Sequence, residues 1–293
     1  MITAIQTIFN GLLIGGVYAL IAVGLTMIFG VLKIVNLAQG EFVMIGMYAT
    51  FVLFNLFGQS ATSYMLLPLV AIIMLALGAV IMIVFIRPVL GKGDTAYILI
   101  TSGLSFVLQN LAQGFFTANY QFVKSDIKTA SLKLGGIYLS LPKVIAFFVA
   151  VVLVLLVSLF LKSTDTGRAI RSVSIDRAVS QMLGVNVAKM YIIAFSLGVM
   201  FAGISGCLLT PIYSIYPRIG TVFSTTVFAV VVLGGLGNIK GAFFGGLLVG
   251  VVENFVGTYY SMNLAPAAVF LLFIVVMLLR PDGLFAKGGA RKA

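Results

Sequence analysis

Two carboxylates, Glu41 and Glu253, are the residues best placed to do chemistry, because each is set inside an otherwise apolar run. A carboxylate at membrane depth is costly and points first to a proton relay, an ion path or a polar solute path. Glu41 closes the string Asn36-Leu37-Ala38-Gln39-Gly40-Glu41, which places polar side chains and a glycine within one apolar segment. Backbone that leaves a helix at such depth is tolerated only where protein or a water-filled cavity covers it. A plainer reading stands beside this one: Glu41 near an interface, paired with Lys33, or a helix N-terminus capped through Asn36. Glu253 follows a second interruption, Gly234-Gly235-Leu236-Gly237-Asn238-Ile239-Lys240-Gly241, continued by Gly245, Gly246 and Gly250. Glycines 237, 241 and 245 recur every four residues, so one helix face open to close backbone approach is expected.

Other chemistries are excluded by what the chain lacks. There is no histidine, and Cys207 is the single cysteine. A zinc or haem site built on His and Cys is therefore excluded, as is a disulfide within the chain. The glycine clusters do not form a phosphate loop: Gly91-Lys92-Gly93-Asp94 fails at the final Ser/Thr position. A dinucleotide fingerprint needs a strand–turn–helix context that a membrane segment does not offer. No cofactor is expected, and an intramembrane enzyme is hard to assemble from so few acidic groups.

The elements that position these residues follow from composition. With 61% hydrophobic and 9% charged residues, 293 residues cannot cover themselves with polar surface in water. The charges cluster between long uncharged runs, the pattern of an all-α polytopic membrane protein rather than an alternating β-barrel. Met1–Gly16 lacks a basic leader and is expected to open the first span, Ile5 to Ile28. Further segments are expected to Phe57, over Tyr64–Ile86, Thr95–Thr117, Lys143–Leu161, Met190–Ile212, Thr221–Leu233, Ala242–Tyr260 and Ala265–Leu279. That makes eight or nine transmembrane helices in one domain spanning 1–293, with broken helices near 36–41 and 234–241. Glycine-bearing breaks in both halves point to a translocation pathway between them. Residues 118–142 form a polar excursion in which Gly135-Gly136 suggests a small hairpin.

The longest polar passage runs from Asp165 to Lys189. Its Ser174-Ile175-Asp176-Arg177-Ala178 run reads as the start of a short helix after a Ser cap, closed by Gly184-Val185-Asn186. Lys33, Arg87, Lys92, the 162–189 loop, Lys240 and the C-terminal tail share one side on this topology, and they hold most of the 18 basic residues. Lys124, Lys128, Lys133, Lys143 and Arg218 fall opposite. The bias places 163–189 and the C-terminus in the cytoplasm and 118–142 outside. The net charge of +11 is thus spent on topology, and no nucleic-acid partner is implied.

Several strings carry a family likeness: Asn36 to Glu41 with Met44-Ile45-Gly46-Met47-Tyr48, Gly167-Arg168-Ala169-Ile170-Arg171, Asp176 to Asn186, Val231 to Ala242, and Leu279 to Phe285. In order and spacing the chain resembles the permease subunits of branched-chain amino acid ABC importers, most nearly the shorter, Liv-type H-like permease of the pair. The resemblance implies a bacterial-type cytoplasmic membrane and three kinds of partner: a second homologous permease, two cytoplasmic ATPases and an extracytoplasmic solute-binding protein. It implies that Asp176, Arg177, Ala178 and Gly184 seat a coupling helix in the ATPase, so ATP is hydrolysed on another chain. Asn36, Gln39, Gly40, Glu41, Gly235, Gly237, Gly241 and Glu253 become the translocation-pathway candidates. Gln39 departs from the histidine that close relatives often carry, and related permeases carry urea or short amides. For branched aliphatic solutes a largely apolar, small-residue pathway wall is expected. The alternative is a secondary transporter with Glu41 or Glu253 as proton relay.

Overall fold

Long uncharged runs become helices because a helix satisfies its own backbone groups where water cannot. The computed structural model describes residues 2–57, 63–123, 130–134, 137–281 and 283–285. The expected turn at Gly135-Gly136, Lys124, Lys128 and the tail from residue 286 lie outside the described residues. In chain order the elements are α1 (Ile2–Leu32), α2 (Gln39–Leu56), α3 (Leu67–Ile81), α4 (Asp94–Phe116), β1 (Ser131–Leu134) and β2 (Ile137–Ser140). They continue with α5 (Leu141–Ser163), α6 (Asp165–Ile175), α7 (Arg177–Met182), α8 (Val187–Leu209), α9 (Ile219–Gly234), α10 (Ile239–Tyr259) and α11 (Ala265–Leu279). The chain is an all-α polytopic membrane protein. Among the described residues, seven helical stretches are long and apolar enough to cross a bilayer: those containing α1, α3, α4, α5, α8, α10 and α11. The remaining two apolar helices are α2 with 18 residues and α9 with 16.

The centre of the bundle is α1, apolar on every side and therefore buried. Ala19, Leu20, Ile21, Ala22 and Val23 expose nothing. It packs chiefly on α10 and α8, then on α5 and α9. Antiparallel packing on α10 is close because Gly11 and Gly15 lie against the backbone at Gly250 and Gly246, leaving no room for a Cβ at any of the four. The expected stripe of 237, 241 and 245 is divided differently. Gly237 sits in the turn before α10 at φ +85, whereas Gly241 and Gly245 face α9 at Gly234 and Val230. Helices α4, α5 and α11 lie at the periphery and expose Leu99, Phe115, Leu155 and Leu278, as lipid-facing surfaces do.

One end of the bundle carries the β1–β2 hairpin, paired antiparallel with Leu134 opposite Ile137, and Gln6 near the start of α1 donates to the Tyr138 carbonyl at 3.2 Å. The other end carries α6 and α7. Thr164 caps α6 by accepting from the Gly167 amide at 3.0 Å. The short helix α7 does not follow a Ser cap as the sequence suggests. Ser174 lies inside α6 and donates back to the Arg171 carbonyl at 2.7 Å. Asp176, extended at φ −146, ψ 113, caps α7 instead by accepting from the Val179 amide at 3.0 Å. A carboxylate beside the exposed amides of a helix start is the better acceptor.

Candidate functional site

After α1 ends at Leu32, the chain doubles back. Gln39 donates from Nε2 to the Gly198 carbonyl at 3.2 Å and lies beside Gly24. Gly24 precedes the end of α1 by two helical turns, roughly 12 Å at 1.5 Å per residue. The returning segment is buried, and its own side chains replace the missing helical hydrogen bonds. The Asn36 carboxamide accepts from the Ala38 amide at 3.2 Å and donates to Gln39 Oε1 at 3.1 Å, while Thr101 donates to the Val35 carbonyl at 3.3 Å. Helix α2 therefore starts inside the bundle, not at its surface.

A second interruption, at residues 210–218 rather than at the expected 234–241, mirrors the first. Beyond α8, residues 210–218 turn inward, and the fully buried Ile215 exchanges backbone hydrogen bonds with Gln121 at 2.8 and 2.9 Å. Helix α9 then starts against α2. Gly40 and Gly220 touch through their backbones, and a Cβ on either would strike the other strand of chain. The Gly40 amide donates to Ser224 Oγ at 3.0 Å. Two half-helices thus meet N-terminus to N-terminus, each bringing the positive end of its dipole.

Glu41 fills that junction. Its carboxylate, 1% exposed, accepts from Gln109 Nε2 at 2.7 Å and Ser105 Oγ at 3.3 Å. Gln109 also reaches Thr221 Oγ1 at 3.3 Å, which ties α4 to α9. Glu41 Oε2 lies against Gly220 and has no hydrogen-bond partner among the described residues. Beside it is a cavity of about 500 Å³ walled by Ser105, Gln109, Asn110, Gln113, Thr221 and Ser224. Leu37, Phe106, Pro217 and Arg218 complete the wall, which mixes polar and apolar side chains. Two branches of the plainer reading of Glu41 are not formed: Lys33 is exposed and makes no ion pair with it, and Ala38, not Asn36, stands at the N-cap of α2.

The structure brings Asn36, Gln39, Gly40 and Glu41 together. It places Gly235 and Gly237 in the turn between α9 and α10, with Gly241 in the first turn of α10 packed on Gly234. Glu253 lies on α10 in a different cavity. Arg177 and Ala178 open α7 directly after the Asp176 cap, and Gly184 follows the helix at φ +81. Sequence reasoning missed Ser105, Gln109, Thr221 and Ser224. The signal was present in α4 as Thr101, Ser105, Gln109 and Gln113, polar residues every four positions that form one helix face.

A family model described as "Branched-chain amino acid transport system / permease component" matches residues 7–280. The chain is 31% identical to the high-affinity branched-chain amino acid transport system permease protein BraD of Pseudomonas aeruginosa, over 98% of this chain and 97% of that one. It is 29% identical to the LivH permease protein of Escherichia coli K12, again over 98% and 97%. A shorter likeness, 33% over 40% of each chain, joins it to the ribose import permease protein RbsC of Escherichia coli. No solved structure matches the chain.

Proposed function

This chain belongs to the branched-chain amino acid transport permease family, and we propose that it is the translocating subunit of an ATP-driven importer for branched aliphatic amino acids. The junction of α2 and α9 carries this reading. Discontinuous helices whose N-termini converge inside the bundle are how membrane transporters expose backbone and polar groups to a solute at depth. The near-full-length likeness to BraD and LivH supports the solute class.

In this reading the α6–α7 end, with the C-terminus, faces the cytoplasm, and the 118–142 segment faces outward. The whole chain acts as one domain, paired with a second homologous permease, two ATPases and an external solute-binding protein. Helix α7 is the lever. Met182 and Leu183 are 85% and 75% exposed, and Val179 and Ile175 are exposed with them, although they lie outside any membrane span. Apolar side chains left open on a polar loop fit a protein partner. The left-handed backbone at Gly184 turns the chain from α7 toward α8, and Arg177 rests 5.8 Å above the Tyr191 ring to hold the two together. ATP-driven closure of the ATPases would push α7 and bias the bundle between two states of access, which is a population shift rather than catalysis in this chain.

Vesicles holding the assembled transporter test this. Labelled leucine uptake is expected to require ATP and the binding protein, and to survive collapse of the proton gradient. Uptake without an ATPase that disappears with the proton gradient would instead establish the secondary transporter, with Glu41 or Glu253 as relay.

A further inference from the structure

A second cavity, of about 670 Å³, lies toward the hairpin end between α1, α5, α10 and the start of α11. Two opposite charges line it. Glu253, on α10, accepts from the Tyr18 hydroxyl at 3.2 Å through Oε1, while its buried Oε2 has no partner. Lys143, in the first turn of α5, makes no hydrogen bond or ion pair among the described residues, the Arg168–Asp165 pair being the one ion pair found there. The two charges therefore share a cavity without neutralising each other. Lys143 is also doubly misplaced on general grounds. A cation opposes the helix dipole at an N-terminus, and the proposed outer end of a membrane protein is the side that basic residues avoid.

We propose that this cavity binds the zwitterionic backbone of an α-amino acid, with Glu253 receiving the ammonium and Lys143 the carboxylate. A carboxylate oxygen with free acceptor capacity and an ammonium with three free donors are complementary to those two groups. Ile14, Val222 and Met262 give the same cavity an apolar wall for an aliphatic side chain, and its volume is ordinary for a small-molecule site. Val222 lines it, next in sequence to Thr221, which lines the cavity beside Glu41, so both cavities border the first turn of α9. The site is an antechamber from which solute passes to the junction. This rests on the proposed import of amino acids and adds where, and by which charges, the solute is first held.

The test measures labelled leucine binding to the assembled transporter without any binding protein. Vesicles of phosphatidylglycerol alone are used, so that no ethanolamine headgroup supplies the same pair of charges. Leucine is expected to bind, whereas 4-methyl-2-oxopentanoate, which lacks the ammonium, and 3-methylbutylamine, which lacks the carboxylate, fail to compete. Lys143→Gln and Glu253→Gln should each weaken leucine roughly thirtyfold or more, as loss of one partner from a desolvated charge pair does. Competition by either analogue as strong as by leucine, measured on the unaltered protein, overturns the proposal even where a variant does not fold. Leucine affinity unchanged in both variants overturns it as well. Charge-dependent binding without ATP-driven uptake keeps the site and rejects the importer reading; uptake with charge-indifferent binding rejects the site alone.

Discussion

Replacing Gln109 with leucine tests whether Glu41 is held at the half-helix junction as a charge. The substitution removes the 2.7 Å hydrogen bond from Gln109 Nε2 and leaves Glu41 Oε1 only the 3.3 Å bond from Ser105. A hydrogen bond to a charged group contributes about 1.5–3 kcal/mol. Neutral polar pairs between membrane helices average only about 0.6 kcal/mol in double-mutant cycles. The two cases are therefore separable. Gln109→Leu, Glu41→Leu and the double variant would be unfolded in mixed detergent micelles and their free energies combined in a cycle. Gln109 also bonds Thr221 and Ser105, but those losses occur in both arms and cancel. A coupling of about 1.5 kcal/mol or more is expected. A coupling of about 0.6 kcal/mol or less would refute the argument that Gln109 anchors a buried anion.

Three further substitutions probe the same architecture. Gly220→Ala drives a Cβ onto the Glu41 carboxylate and should cost about 1–3 kcal/mol as an overpacked contact; a lower denaturation midpoint with reduced uptake is the expected result. Asp176→Ala removes the cap of the six-residue helix α7, worth about 1 kcal/mol. Co-purification with the ATPase should fall while bundle stability is unchanged, and Asp176→Asn, which keeps a capping oxygen, should restore it. Gly250→Leu sets a side chain into the backbone of Gly11 and Gly15 and should abolish monodisperse protein in size-exclusion chromatography, whereas Phe255→Leu on the exposed face of the same helix should not.

Much of this was legible in the sequence because membrane insertion writes itself into long runs. The spans ending at Ile86 and Ser163 fall close to where the charges begin. The break at Asn36–Glu41 was visible for the same reason, since polar residues are conspicuous in an apolar run. What those polar residues would bond was not visible. Gln109 and Ser105 reach Glu41 from α4, and no local pattern ties a residue to a partner far along the chain. The depth of the break was also hidden: Lys33 suggests a membrane edge, yet the chain re-enters beyond it to reach Gly198. At α7 the sequence held two capping residues, Ser174 and Asp176, and only the backbone decides between them. Lys143 counted only as one of the basic residues on the opposite side, because its shared cavity with Glu253 exists only once α5 and α10 are packed.

The meeting of α2 and α9 also has a mechanical consequence. An unbroken helix resists bending because each turn is hydrogen-bonded to the next along its length. Here no such ladder joins α2 to α9, and the Gly40 amide to Ser224 hydroxyl bond is the direct stitch between these two half-helices. The halves can tilt against one another at the loss of that stitch and the Gln109–Thr221 tie, with every intrahelical hydrogen bond kept. The molecule thus carries a compliant seam at half depth, flanked by rigid rods such as α1 and α10.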